Sequence, residues 1–250
     1  MKVLKHWTAD NFEISTHKYH LSDRVNKTYK TSGNDNTGLC DYTYNELGFR
    51  GDSIKKDGFK VMSLGCSHTE GVGVNNDETW PAQFAKLIPN GVNINFGTGG
   101  RSGDFVVRCL FSYYDLIKPD LVLIFYPEIV RREIYTKDGG VEPYMPTSAW
   151  GFTEETIEGM NTQKLKIELQ NDNEDFINWY KNHLLISNYL KAKDIPFIWN
   201  GTFVGTDYTD ENRFDGGYPH FPEKNQYASP QENEIYSKKL LNHIKKNFEI

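Results

Sequence analysis

The sequence is poor in cysteine, with three residues in 250: Cys40, Cys66 and Cys109. They are widely scattered and form no Cys-x-x-Cys, which excludes a disulfide framework and a zinc knuckle and makes a reducing compartment the expected setting. No run approaches the roughly 18 apolar residues of a membrane-spanning helix. Met1 to Phe12 has no apolar stretch of signal-peptide length, so no cleaved leader is expected. An excess of positive charge is also missing. The chain carries 28 Lys+Arg against 34 Asp+Glu, a net charge of -6, whereas a nonspecific nucleic-acid binder would want a basic face. Internal repeats and low-complexity tracts are absent. His6, His17, His20, His183 and His243 show no paired ligand spacing, so neither a metal nor another cofactor is expected.

Apolar and aromatic residues are plentiful. The hydrophobic fraction is 38%, and 15 Tyr, 15 Phe and 5 Trp are too many for a disordered chain. A chain of this length buries roughly three quarters of its unfolded surface and needs no covalent staples.

Residues 1–57 are polar and aromatic with turn clusters, and read as an irregular N-terminal arm. From 58 to 250 the rhythm is that of one α/β domain. Strands are expected at Phe59–Gly65, Val92–Phe96, Leu121–Phe125 and Ile195–Trp199. The Leu-Val-Leu-Ile-Phe run at Leu121 is typical of a central parallel strand. Helices are expected at Trp80–Ile88, Asp104–Ile117, Glu174–Lys193 and Glu232–Phe248 from their apolar spacing. Alternating strands and helices imply βαβ units, a parallel sheet, and a ligand site at the carboxyl ends of the strands. Residues 127–172 lose this rhythm and read as an inserted loop, a length that in a compact domain is usually functional.

Three segments could carry chemistry. The first is Gly65-Cys66-Ser67-His68, where a serine on a tight strand-to-loop turn exposes its hydroxyl at the sheet edge. The second is the glycine turn Gly97-Thr98-Gly99-Gly100-Arg101, which offers backbone donors beside Ser67. It does not follow Gly-x-Gly-x-x-Gly, and no Walker lysine accompanies it. The third is Asp215-Gly216-Gly217-Tyr218-Pro219-His220, an acid and a base before the last helix. A nucleophilic serine needs a base, and the base needs an orienting acid. Beside Ser67, Cys66 reads as buried and His68 as a rim residue.

These segments resemble the motif blocks of the SGNH, or GDSL-type, serine hydrolases, including members encoded by phages. The resemblance runs from about Phe59 to the C-terminus. Gly65-Cys66-Ser67 resembles the nucleophile block, with Cys66 where that family usually has Asp. Asn95 with Gly100 and Arg101-Ser102 is similar to the second block, and Asp215 with His220 to the last. The upstream Asn45-Glu46-Leu47-Gly48-Phe49-Arg50-Gly51 resembles a lead-in found in some members. The third block, Gly-x-Asn-Asp, is replaced by Tyr126-Pro127-Glu128-Ile129-Val130-Arg131-Arg132-Glu133. The asparagine that completes that family's oxyanion hole is therefore missing. Four residues separate Asp215 from His220 where the family has two, and Asp207 or Asp210 is an alternative acid.

The resemblance implies a three-layer α/β/α, flavodoxin-like fold with a parallel sheet of about five strands. It implies ester hydrolysis by a Ser67–His220–Asp215 triad, with Gly100 at the oxyanion. The substrate expected is a small-molecule or carbohydrate ester, most plausibly a sugar O-acetyl group, with no nucleic-acid or membrane partner. Arg131, Arg132 and His68 are candidate substrate contacts, and Tyr144, Trp150, Phe152 and Tyr218 a candidate stacking platform for a sugar ring. The location expected is cytoplasmic or virion-associated. The alternatives are a non-catalytic binding or structural module on the same scaffold, and a transferase that keeps acyl-serine chemistry.

Overall fold

The computed structural model describes residues 24–32, 38–135, 141–144, 172–201, 210–216 and 227–247. Within the segment read as an irregular arm, β1 (Thr28–Ser32) and β2 (Leu39–Thr43) form an antiparallel pair. The alternation Leu39-Cys40-Asp41-Tyr42-Thr43 turns Cys40 and Tyr42 inward, where they pack with Tyr44 and Tyr29.

The main domain begins at β3 (Phe59–Gly65), which leads directly into a single helical turn, α1 (Ser67–Glu70). After a short 3₁₀ turn at Asn76–Glu78 come α2 (Trp80–Lys86), β4 (Gly91–Asn95), α3 (Gly103–Ile117) and β5 (Leu121–Tyr126). Sequence signals set these helix starts. Thr79 caps α2 by accepting from Ala82 N–H, with Pro81 in the first turn, where a missing N–H costs nothing. Ser102 caps α3 by accepting from Phe105 N–H. The hairpin β6 (Arg132–Tyr135) and β7 (Val141–Tyr144) follows. Then come α4 (Asp172–Ala192), β8 (Phe197–Gly201) and α5 (Pro230–Asn247).

Four strands form one parallel sheet in the order β4-β3-β5-β8. Among the described residues the sheet has four strands, beside the expected count of about five. Each strand of this sheet buries side chains on both faces, because helices cover both. Met62, Leu64, Val122, Ile124 and Tyr126 pack against α3 and α4 on one side. Val61, Leu121, Leu123, Phe125 and Ile198 pack against Trp80 and Phe84 of α2 and Tyr236, Leu240 and Ile244 of α5 on the other. This is the three-layer α/β/α arrangement, and it explains why β5 is an unbroken apolar run.

Chain direction makes one place special. From β3 the chain steps outward to β4, then returns across the sheet to β5 on the other flank. The crossovers diverge beyond the carboxyl end of β3, the kind of switch point beside which such sheets place their ligand sites. Ser67 stands at that end. Among the described residues no helix is long and apolar enough to cross a membrane.

Candidate active site

Ser67 is the first residue of α1, immediately beyond Gly65 and Cys66. Gly65 is required there. A side chain at this position would run into the Thr69 hydroxyl and the Phe125 carbonyl, so only glycine lets β3 turn so tightly beside β5. Contrary to the expectation of an open serine, Ser67 is only 7% exposed. Cys66 is buried as well, so it is packed inward rather than displayed as a competing nucleophile.

Tyr227, which the sequence reading did not single out, lies beside Ser67 and His68. Its ring lies 5.3 Å from that of His68, and its hydroxyl is within hydrogen-bonding reach of Ser67. Burial raises the Tyr227 pKa, and the Ser67 contact lowers it only in part, so this phenol is neutral at ordinary pH. The other contact of the Ser67 hydroxyl is weak, 3.9 Å to the Cys66 sulfur. Nothing in the sequence marks Tyr227 except its position just ahead of the last helix.

The second glycine turn meets Ser67 as expected. A Cβ built on Gly99 would lie 3.8 Å from the Ser67 Cβ, and Gly100 follows with a left-handed φ of 71°. Two side chains tie this turn to α1. Asn95 Nδ2 donates to Thr69 O at 2.7 Å while its Oδ1 accepts from Gly97 N–H at 2.8 Å. Glu70, whose side chain is 7% exposed, accepts from Gly99 N–H at 2.7 Å. The same carboxylate receives Arg24 at 3.3 Å and the Tyr44 hydroxyl at 3.4 Å. Glu70 is thus bound from three directions, and the sequence reading missed it as well.

His68 is wedged between Tyr227 and the edge of Phe125. Burial, reinforced by the positive charge of Arg131, lowers its pKa to about 4. It is a neutral residue packed beside Ser67.

Arg131 and Arg132 part company. Arg131 pairs with Glu128 at 3.1 Å, and its charge acts on both His68 and Tyr227. Arg132 instead reaches α4, donating to Asp175 at 2.7 Å. Its neighbour Glu133 is clamped by Arg108, with Nε to Oε2 at 2.9 Å, and its backbone N–H donates to Asp104 at 2.8 Å. The chain leaving β5 is therefore fastened onto α3 and α4, with Arg131 left on the Ser67 side.

The acid and base fare differently. Asp215 is described: its side chain is 70% exposed and pairs with Arg213 at 2.7 Å. His220 lies outside the described residues, as do Asp207, Trp150, Phe152, Tyr218 and the side chain of Tyr144. Asp210, the other candidate acid, is engaged elsewhere. Its Oδ2 is 2.9 Å from His183 Nε2, and its Oδ1 accepts from Trp199 Nε1 at 2.8 Å and Asn212 N–H at 2.9 Å. Burial pushes the Asp210 pKa up, but these hydrogen bonds win and hold it below its ordinary value. An ionised carboxylate only accepts, which places the imidazole proton on Nε2. Nδ1 of His183 lies 3.2 Å from the Tyr126 hydroxyl. His183, with both nitrogens occupied inside the core, is not positioned to serve Ser67.

No family model matches this sequence, and no curated protein does. Solved structures resemble its chain trace loosely. A candidate lipolytic protein of the G-D-S-L family from Desulfitobacterium hafniense is 17% identical, with a TM-score of 0.35 over 74% of this chain and 99% of its own. A candidate acylhydrolase from Bacteroides fragilis is 15% identical, with a TM-score of 0.31 over 79% of this chain and 90% of its own. A GDSL-like lipase from Bacteroides thetaiotaomicron is 17% identical, with a TM-score of 0.31 over 75% of this chain and 88% of its own. At these scores no residue's role carries over from them to this chain.

Proposed function

We propose that the chain is a serine hydrolase of acyl esters with Ser67 as nucleophile. The observation that carries this reading is the seat of Ser67. It stands on a glycine-enforced turn at the carboxyl end of β3, with the Gly99–Gly100 turn held against it by Glu70 and Asn95.

In this mechanism the Ser67 oxygen attacks the acyl carbon and its proton passes to His220. His220 returns that proton to the departing alkoxide, leaving an acyl-serine. Water, deprotonated by His220, then attacks the acyl carbon, the acid departs, and Ser67 regains its proton. Asp215 orients His220, and the Ser67 and Gly100 N–H groups receive the charge that develops on the carbonyl oxygen. Chain connectivity permits this assignment. His220 lies seven residues before Tyr227, whose hydroxyl is within hydrogen-bonding reach of Ser67, and seven residues span at most about 25 Å. The substrate class proposed is a short-chain ester on a carbohydrate, an O-acetyl group above all. Arg131 would face an acidic substituent, since its charge already acts on both rings around Ser67.

The test is turnover of p-nitrophenyl acetate and of acetylated neutral and uronic-acid sugars. Ser67→Ala is expected to lose about 1000-fold or more in rate at an unchanged melting temperature. Arg131→Ala is expected to lose preference for the uronic ester alone.

One observation favours a second reading, a binding module without turnover. The Tyr227 hydroxyl is within hydrogen-bonding reach of Ser67, and a phenol kept neutral by burial is a poor base. Tyr227→Phe separates the two readings. The enzyme retains or gains turnover when the hydroxyl is removed, whereas the binding module has none with either side chain.

A further inference from the structure

The segment Asn45–Gly51 remains without a role in the chemistry above, yet it supplies one of the most deeply buried cations in the molecule. Arg50 is 1% exposed. Its guanidinium lies under the turn that carries Ser67. Nη1 donates to the carbonyls of Glu70 at 2.9 Å and Gly71 at 2.6 Å. Nη2 donates to Val74 O at 2.8 Å, and Nε to Asn76 Oδ1 at 2.8 Å. One flat face of the guanidinium stacks on Tyr42, 3.8 Å from the ring centre.

The physical need for such a residue is plain. α1 is four residues long, a single turn, and one turn does not stand alone because helix nucleation is unfavourable. Its last carbonyls have no intrahelical partners, and burial denies them water. Gly71 N–H and Val72 N–H close back on Ser67 O at 2.9 Å and 3.2 Å, so the carbonyls beyond them must be satisfied from outside. A guanidinium provides several donors in a rigid fork, and its charge suits the negative end of the turn. A lysine would bring a compact charge without that fork.

The rest of the segment exists to aim Arg50. Asn45 Oδ1 accepts from Leu47 N–H at 3.0 Å and Phe49 N–H at 3.2 Å, while its Nδ2 donates to Asp52 O at 3.1 Å. That closes a tight loop. Gly51 adopts φ 126°, and a Cβ there would come within 2.6 Å of Asn93 O, so the chain can pass against β4 only as glycine.

The geometry points to Arg50 as a positioning residue that fixes the Ser67 turn for attack, an inference that rests on the reading of Ser67 as nucleophile. Arg50 does not touch substrate. It sets where the Ser67 oxygen stands relative to the Gly99–Gly100 turn, and displacement of a reacting group by about 1 Å can cost about 100-fold in rate.

The experiment compares Arg50→Lys, Asn76→Ala and the unaltered chain in steady-state hydrolysis of p-nitrophenyl acetate and in two further measurements. The first is the rate of Ser67 modification by a fluorophosphonate, corrected for the folded fraction. The second is native-state hydrogen exchange of the Gly71 and Val72 amides relative to those of β3. Arg50→Lys is expected to slow labelling by about 10-fold or more, to lower kcat with KM nearly unchanged, and to release the two amides selectively. Asn76→Ala, which removes one of the four bonds of Arg50 together with the side-chain bonds of Asn76 to the Thr43 backbone, is expected to give the same pattern at about 3-fold. Labelling and exchange like the unaltered chain in whichever variants fold would overturn the inference, as would a uniform loss of protection across β3 and α1. Should Arg50→Lys not fold, Asn76→Ala decides by the same criteria. A failure of the unaltered chain to label removes the hydrolase reading and this catalytic role with it, whereas normal labelling with indifferent variants removes the role of Arg50 alone.

Discussion

The two halves of the candidate site are built differently. The half that follows β3 and β4 is held by named bonds on every side: Arg50 and Glu70 on the Ser67 turn, Asn95 and Glu70 on the glycine turn. The half that follows β8 sets Asp215 in solvent against Arg213 and lays Tyr227 over Ser67. A nucleophile needs a fixed seat, because its position relative to the oxyanion donors decides the rate. The described part of the other half shows an acid at the surface and a neutral phenol on the serine. The comparison teaches that the fold itself supplies the seat of Ser67, and under the proposed hydrolase reading the proton chemistry would fall to the β8–α5 connection.

The most direct way to break this comparison is to remove Glu70. Glu70→Ala leaves Gly99 N–H, Arg24 and Tyr44 without their shared acceptor in a buried place. It is expected to lower stability by about 2–4 kcal/mol, read by urea denaturation, and to slow ester hydrolysis in the fraction that stays folded. A variant as stable and active as the parent would show that the first half is not held as described.

The two aspartates sharpen it. Asp210→Ala strips His183 and Trp199 of a buried partner and is expected to cost about 1–3 kcal/mol with little change in kcat. Asp215→Ala removes an exposed pair and is expected to cost less than about 0.5 kcal/mol, while kcat falls about 100-fold or more if Asp215 orients the base. Thermal melts and steady-state kinetics on the same preparations check both. The reverse pattern would make Asp210 the functional acid.

A further effect concerns pH. His68 is held neutral, with its pKa lowered to about 4 by burial and by Arg131, whereas an unfolded histidine titrates near about 6.5. Below that value the unfolded chain binds the extra proton first, so stability falls as pH drops and levels off below about 4. The expected loss is about 2–3 kcal/mol over that window. His68→Gln should flatten this part of the curve, measured by denaturation at pH 7, 5.5 and 4, and an unchanged slope would mean that His68 is not buried against Tyr227.

The sheet and its helices were legible because burial on both faces leaves a strong mark. The Leu121–Phe125 run and the helical spacing of Phe105, Leu110, Tyr113 and Ile117 are direct images of what they pack against. The seat of Ser67 was legible because a strand ending at Gly65 has few ways to continue. Arg50 was visible only as part of a resemblance, since its partners are backbone carbonyls, which carry no sequence signal. Glu70 was invisible for a related reason: one of its partners is the backbone N–H of Gly99. The β1–β2 hairpin was passed over even though Leu39–Thr43 alternates, because the flanking residues are polar and turn-rich. Tyr227 was missed because a tyrosine's contact across the fold leaves no periodic or spacing signature. The spacing of Asp215 and Asp210 likewise could not tell which of them a buried histidine would claim.

The most direct test of Ser67 as nucleophile is reaction of the whole chain with a fluorophosphonate, followed by peptide mapping of the adduct. A single adduct on Ser67, absent in Ser67→Ala and formed at a rate that falls with Arg50→Lys, is the result expected. An adduct on another residue, or none on a folded chain that nonetheless hydrolyses acetyl esters, would contradict the assignment.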